Sequence, residues 1–309
     1  MAFAIDDDDE DNWIVYVVDF DAKTMESFSF VGSGNVQSAH WDPGRGLIWV
    51  LVDGTIFAID RSKHEMFDIS SPPKKFFVYS VLSTDSHIYV SGEYSNIWRI
   101  SVPALEWEPL QTPEPKPPRA ADAAEQTRRT KEYARKYPPY YYGFEVGEHF
   151  VFCGALGALA RVHGTSVETQ RIETEARLMT GRVEGRQISL SADSPRGEIY
   201  LGNFGEDFEI IFSDNQRSLH RTALHNGRRY IGIAEYPASE LHNLYIYEKN
   251  ELAPVETDCA REPLQLISLS STGNALWAID GFGIFRLSQD KWTLVDDDDL
   301  QSGIWPEGG

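Results

Sequence analysis

The side chains best suited to chemistry in this chain are two histidines, two cysteines and two runs of aspartate. His220 and His225 stand five positions apart in a turn-rich stretch. The ligand spacing of a metal site is missing there, so both read as surface histidines. Cys153 and Cys259 belong to no CxxC or Cys/His pattern, which points to buried thiols rather than a disulfide framework or a zinc site. No G-x-S-x-G elbow, HExxH, Walker A or GxGxxG unit occurs. Carboxylates are so numerous that no acid/base pair stands out among them.

The aspartate runs are more informative. Asp6, Asp7, Asp8 and Asp9 open one and Asp296, Asp297, Asp298 and Asp299 make up the other. Neither has the D-x-[DN]-x-[DN]-G spacing that wraps calcium, so no metal and no cofactor are expected. They are either two solvated charge runs or, if the chain closes on itself, one strongly negative patch. With 48 acidic against 28 basic side chains the net charge is −20. That field repels nucleic acid and anionic lipid and attracts basic partners.

One segment runs against this balance. Residues 111–139, "QTPEPKPPRAADAAEQTRRTKEYARKYPP", read as a helix from about Arg119 to Lys136 bracketed by prolines. Acidic residues come early in it and basic residues late, which matches the helix dipole. Few apolar residues line it, so it is expected at the surface, either as a decorated loop or as a contact arm presenting Arg128, Arg129, Tyr133 and Arg135.

The elements that must carry these residues follow from length and repetition. A chain of 309 residues, 41% apolar, can bury one large core and is expected to form a single domain over residues 1–309. Its first residues are acidic where a secretory signal is basic, and no stretch has the ~18 to 20 apolar residues of a membrane span, so a soluble, cytoplasmic and monomeric protein is expected.

"GLIWVLVDGTIFAID" (46–60), "SHIYVSGEYSNIWRI" (86–100), "EHFVFCGALGALARV" (148–162), "GEIYLGNFGEDFEII" (197–211) and "NALWAIDGFGIFRLS" (274–288) share one pattern: an apolar strand, a short turn, a second strand. Their bulky centres, with Tyr245 added, are Trp49, Tyr89, Val151, Tyr200 and Trp277, and they recur at roughly 40 residues once the insertion is set aside. Further alternating runs flank each hairpin. The fold expected is all-β, a β-propeller of six to seven four-stranded blades with a helical insertion at about 115–138. Six units fall at about 36–70, 76–110, 140–172, 186–222, 228–257 and 264–295, preceded by an extra hairpin at 13–30.

Two resemblances bear on function. "QSAHWDPGRGLIWVLVDGTIFAIDR" (37–61) resembles the opening blade of the gluconolactonase/regucalcin family, which implies a divalent metal and lactone hydrolysis. The family's metal ligands would fall at Gln37, near Arg186 and near Asn203; a hard metal wants carboxylate oxygens, and an arginine repels it. "LISLSSTGNALWAIDGFGIFRLSQDKWTLV" (266–295) and "VYSVLSTDSHIYVSGEYSNIWRISVPALEWEPL" (78–110) resemble tectonin-like and related bacterial propeller repeats, which specify architecture. Some bacterial propellers of this general kind resemble immunity proteins of secreted toxins. That resemblance implies a non-enzymatic inhibitor of a basic, nuclease-like toxin, with the aspartate runs steering and the arm in contact. A scaffold or glycan-binding propeller is the remaining alternative. Repeated aromatics at blade-top loops would mark it, whereas Trp49 and Trp277 fall within strands.

Overall fold

The computed structural model describes residues 2–302 except 8–11, 20–21, 32–35, 43, 70–71, 74, 103, 121, 194–195, 216, 234–242, 265 and 273. Asp8 and Asp9 lie outside the described residues, as do the side chains of Asp6, Asp7, Asp297 and His220.

The chain begins with a three-stranded sheet, β1 (Ala2–Asp7), β2 (Asn12–Asp19) and β3 (Thr24–Val31). Six four-stranded antiparallel sheets follow. Blade one is β4 (Val36–Asp42), β5 (Leu47–Val52), β6 (Thr55–Asp60) and β7 (Glu65–Asp68). Blade two is β8 (Val78–Ser83), β9 (His87–Gly92), β10 (Ile97–Ser101) and β11 (Trp107–Gln111). After helix α1 (Ala123–Lys136) comes blade three, β12 (Tyr140–Val146), β13 (His149–Gly154), β14 (Ala158–His163) and β15 (Ser166–Arg171). Blade four is β16 (Leu178–Glu184), β17 (Gln187–Ala192), β18 (Gly197–Gly202) and β19 (Glu209–Asp214). Blade five is β20 (Leu219–His225), β21 (Arg228–Ile233), β22 (Leu244–Glu248) and β23 (Glu251–Pro254). Blade six is β24 (Leu266–Thr272), β25 (Ala275–Asp280), β26 (Gly283–Ser288) and β27 (Lys291–Asp296), followed by α2 (Asp297–Ser302).

Each strand of alternating pattern has two apolar faces here, because each blade is a wedge packed on both sides. Trp49 and Leu51 of β5 face blade two, while Ile48, Val50 and Val52 of the same strand face the three-stranded sheet. Seven such clusters fill the seven interfaces between successive sheets. The last two close the ring. Val15 and Val17 of β2 pack on blade one, and Tyr16 and Val18 pack on Ile279, Ile284, Val295 and Leu300 at the end of the chain. The fold is a propeller of six four-stranded blades, closed by this additional sheet.

First strands line the axis, and on each the register against the second strand slips at its second residue. The slips fall between Val36 and Ser38, Val78 and Ser80, Tyr140 and Tyr142, Leu178 and Thr180, Leu219 and Arg221, and Leu266 and Ser268. A bulge at the same place in six blades bends each strand where the blade narrows toward the hub. Past the bulge the lead-in segment stays bonded to the end of the second strand: Glu93 N donates to Phe77 O, Ala155 N to Pro139 O and Asp193 N to Arg177 O. The approach is close enough to require glycine. A Cβ on Gly92 would lie 2.0 Å from Phe77 O, and one on Gly154 would lie 1.8 Å from Pro139 O.

Blades four and five are phased differently from the sequence expectation. Tyr200 and Tyr245 lie in the third strands β18 and β22, not in second strands like Trp49, Tyr89, Val151 and Trp277. Blade four begins at Leu178 rather than 186, and 219–222 opens blade five. The helix is also shorter than expected, starting at Ala123 after an extended proline-rich stretch, with Asp122 as its N-cap.

Strand direction sorts the loops onto two faces. One is the connector face, where a fourth strand ends and the next first strand begins; the other carries the turns between first and second and between third and fourth strands. Arg61 in the β6–β7 turn makes two hydrogen bonds to Glu26, at 2.7 and 2.6 Å, and His64 of that turn meets Phe28 with ring centroids 5.0 Å apart. These contacts put the start of β3 on the turn face, so β3 and its parallel companion β1 both end on the connector face.

Leu300 is 2% exposed in the cluster between the closing sheet and blade six. Leu300→Ala is therefore expected to cost about 2 to 5 kcal/mol, read by urea denaturation. Leu224→Ala, at an exposed leucine, is expected to stay within about 0.5 kcal/mol. Equal effects would contradict closure through α2.

Candidate functional site

The connector face carries the insertion. Asp122 accepts from Glu125 N at 2.8 Å, and this cap starts α1 where the proline stretch ends. The helix buries none of its residues, and its contacts with the ring are polar and aromatic. Tyr133 OH donates to Glu114 O at 2.7 Å, Lys136 Nζ to Glu114 at 2.9 Å, and Arg171 Nη2 to Arg135 O at 2.9 Å. Tyr133 meets Tyr94 edge-on at 5.3 Å, and Lys116 Nζ lies 4.0 Å from the centroid of the same Tyr94 ring. Tyr94 has a left-handed backbone, with φ 53°. Leu156 adopts the same conformation at φ 55° in the matching turn of blade three. The strain thus belongs to the turn, and the ring at 94 to the docking of the arm.

The three arginines expected to make contact are already paired. Arg128 bonds Glu125 and Glu132, Arg129 bonds Glu125 at 2.7 Å, and Arg135 lies 3.6 Å from Glu175. These pairs are solvent-exposed, where water and salt screen them. They define the arm's local charge pattern more than they stabilise it, and an incoming carboxylate can exchange into them at little cost.

Beside the arm a cleft of about 360 Å³ opens between blades one and two, lined by Gly54, Ile69, Phe76, Phe77, Glu93 and Trp107. A smaller one of about 260 Å³ adjoins it and shares Lys75, Phe76 and Glu93; its far wall is Tyr94, Tyr133 and the prolines Pro113 and Pro115. Apolar rings with a few charged groups at the rim suit an extended peptide or an inserted side chain.

Across the axis, between blade six and the closing sheet, lie the strand ends that carry the first residues of each aspartate run. β1 ends at Asp7 and β27 at Asp296, both on the connector face. The second run also shapes the chain locally, because Asp299 N donates to Asp296 Oδ1 at 3.0 Å and Asp296 N to Asp299 Oδ2 at 3.3 Å. This reciprocal pair is the capping box that starts α2 and directs Leu300 into the core. Burial pushes the Asp299 carboxyl above its ordinary value, helped by Asp296 and Asp298. Asp298 is exposed.

The remaining reactive side chains serve packing. Cys153 is buried and donates to Leu178 O, and burial pushes its thiol up; burial does the same for the half-buried Cys259. His225 is not at the surface as its sequence context suggests. It is 4% exposed, 3.0 Å from Ser271 Oγ, and burial lowers its pKa. Gln37 accepts from Gly54 N near the start of its blade, while Arg186 lies in the β16–β17 turn on the opposite face and Asn203 pairs with Glu206. The positions that the lactonase resemblance marks as ligands do not converge. Among the described residues no group of three or more His, Cys, Asp or Glu is placed to hold a metal ion, and no helix is long and apolar enough to cross a membrane.

The arm's charge network gives a direct titration. Arg128 and Arg129 lower the Glu125 pKa from 4.5 to about 2. A depressed carboxyl contributes stability that is present above its unfolded pKa and is lost as pH falls toward the folded one, here between 4.5 and about 2. A carboxyl NMR titration should give Glu125 a midpoint near the lower value, and Arg128→Gln with Arg129→Gln should return it toward 4.5.

No family model matches the sequence, and no curated protein matches it. Solved structures do match in shape. YCF48 bound to a D1 peptide superposes with TM-score 0.59 at 14% identity, covering 86% of this chain and 82% of that one. The β-propeller domain of Cps50 (Swd1) from Myceliophteria thermophila gives 0.57 at 13% identity, covering 87% and 90%. At these identities the likeness is one of fold: the chain is similar in architecture to β-propellers.

Proposed function

We propose that this propeller is a non-catalytic binding scaffold whose connector face takes a basic protein partner. The observation that carries this reading is the composition of that face. The strand ends at Asp7 and Asp296 and the aromatic cleft beside the arm lie on the same side of a ring whose chain carries a net charge of −20. Acidic side chains around a docking surface raise the rate at which a cationic protein arrives, and the aromatic cleft supplies contact once it is there. One similar propeller, YCF48, is seen with a peptide bound, so this architecture accommodates such a ligand.

The narrower form of the reading is neutralisation of a basic toxin domain. A rigid disc that covers a cationic, nucleic-acid-binding surface blocks it by occlusion and needs no chemistry of its own. In that role Asp6, Asp7, Asp8, Asp9, Asp296, Asp297, Asp298 and Asp299 steer the partner, while Arg128, Arg129, Tyr133 and Arg135 touch it.

The test is association with the protein encoded beside this gene, followed at low and high salt. A complex is expected at low salt, with an on-rate that falls steeply as salt rises. Asp298→Lys is expected to slow association severalfold and to leave the chain's thermal stability unchanged. Protection of cells that co-express the two proteins supports the toxin form. A complex insensitive to both salt and Asp298→Lys, or no complex at low salt, overturns the proposal.

A further inference from the structure

Two acidic residues hold the same place in the ring with different partners. Asp193 of blade four and Glu93 of blade two each follow the last residue of a second strand, and their backbone N–H groups bond the lead-in residues Arg177 and Phe77. In blade four the lead-in arginine turns back onto the acid: Arg177 Nε donates to Asp193 Oδ1 at 3.0 Å and Nη2 to Oδ2 at 2.6 Å. Blade six makes a similar fork, since Arg261 donates to both oxygens of Asp280, at 2.6 and 2.9 Å. In blade two Phe77 stands where that arginine would be, and what Glu93 accepts is the Phe77 backbone N–H at 3.3 Å. No ion pair joins Glu93 to any described residue.

Glu93 lines both clefts beside the arm, of about 360 and 260 Å³. Phe76 and Tyr94 stand with it in the smaller one. Lys116 Nζ, 4.0 Å from the centroid of the Tyr94 ring, shows that this ring receives a cation. Asn96 is a further wall of the smaller cleft and is 1% exposed. Its Nδ2 donates to Glu93 O at 2.6 Å, while its Oδ1 has no hydrogen-bond partner. A buried acceptor left unmet costs free energy that an incoming donor recovers. Lys75 and Lys116 at the rim are exposed and bond neither acceptor. The cleft thus offers aromatic faces, a carboxylate without a cation and an amide oxygen without a donor.

We infer that these clefts form an arginine subsite, in which a guanidinium from a basic protein partner takes the place on Glu93 that Arg177 holds on Asp193. The inference rests on the reading of the connector face as the docking surface for such a partner. A guanidinium fork matches a carboxylate through two parallel hydrogen bonds, its flat face stacks on an aromatic ring, and its remaining N–H groups suit Asn96 Oδ1. A lysine ammonium has neither the fork nor the flat face. The ring therefore fills this place with its own arginine in blade four and leaves it to the partner in blade two.

The probe is the capped peptide acetyl-Gly-Arg-Gly-amide, compared at equal ionic strength with its lysine and citrulline counterparts and followed by the amide NMR shifts of Phe77, Glu93 and Asn96 in the full chain. The arginine peptide is expected to move these amides saturably, the lysine peptide to bind severalfold more weakly, and the uncharged citrulline peptide more weakly still. Glu93→Gln is expected to weaken arginine binding about tenfold or more, the loss of a charge-assisted hydrogen bond, with the unfolding temperature unchanged. Glu65→Gln, at an exposed residue where β7 begins on the turn face, is expected to leave binding as it is. If the arginine peptide gives no saturable shift, if the three peptides bind alike, or if Glu93→Gln binds as tightly as the parent, the clefts are not an arginine subsite. Should that happen while the full partner still associates in a salt-dependent way, the subsite falls alone; if the partner fails to associate as well, the docking reading falls with it.

Discussion

Every sheet in this protein is a wedge whose two faces are apolar, and no such sheet can shield both faces alone. The ring is the solution: seven interfaces, each filled by the facing sides of two successive sheets. Closure is the demanding step, since it joins the start of the chain to its end. It depends on β2, whose Val15 and Val17 face blade one while Tyr16 and Val18 face blade six. The aspartates at 296 and 299 contribute by capping α2, which sets Leu300 into that interface. Charge patterning and packing therefore meet at one place, where the ring is sealed.

Much of this architecture was legible because second and third strands are short apolar runs joined by Gly-, Asp- or Asn-containing turns. The hairpins at 46–60, 86–100, 148–162 and 274–288 are second and third strands of blades one, two, three and six. Phase failed in blades four and five for a physical reason. Their first strands, "LMTGRVE" and "LHRTALH", carry Arg182, Arg221 and His225 where an apolar pattern is anticipated. His225 is buried beside Ser271 and Arg221 donates to Ile267 O, so two of the polar positions that hid the strands make contacts between neighbouring first strands. The six bulges were not legible either. A register slip shows only in the backbone pairing, and its trace in residue type is confined to close-approach glycines such as Gly92 and Gly154, which read equally well as ordinary turn residues.

The candidate site was readable in part. The helical insertion announced itself by its prolines and its charge reversal, and its cap, Asp122, falls where a capping residue belongs. The pairs of Glu125 and Glu132 with Arg128 and Arg129 follow the i, i+3 and i, i+4 spacing of a helix, whereas the Lys136–Glu114 pair depends on the path of the proline stretch and had no sequence signal. The aspartate run at 296–299 looked like charge alone, yet its i, i+3 spacing is also that of a capping box.

The central physical claim is that the closing sheet and blade six share one cooperative core, making the protein a single sealed ring. Native-state hydrogen exchange tests it most directly, by comparing the amides of Val15 to Val18 in β2 with those of Leu276 to Ile279 in β25. A sealed ring predicts that both sets exchange only through global unfolding, with the same free energy and the same denaturant dependence. Exchange of the β2 amides through a separate, low-energy opening while β25 stays protected would contradict it.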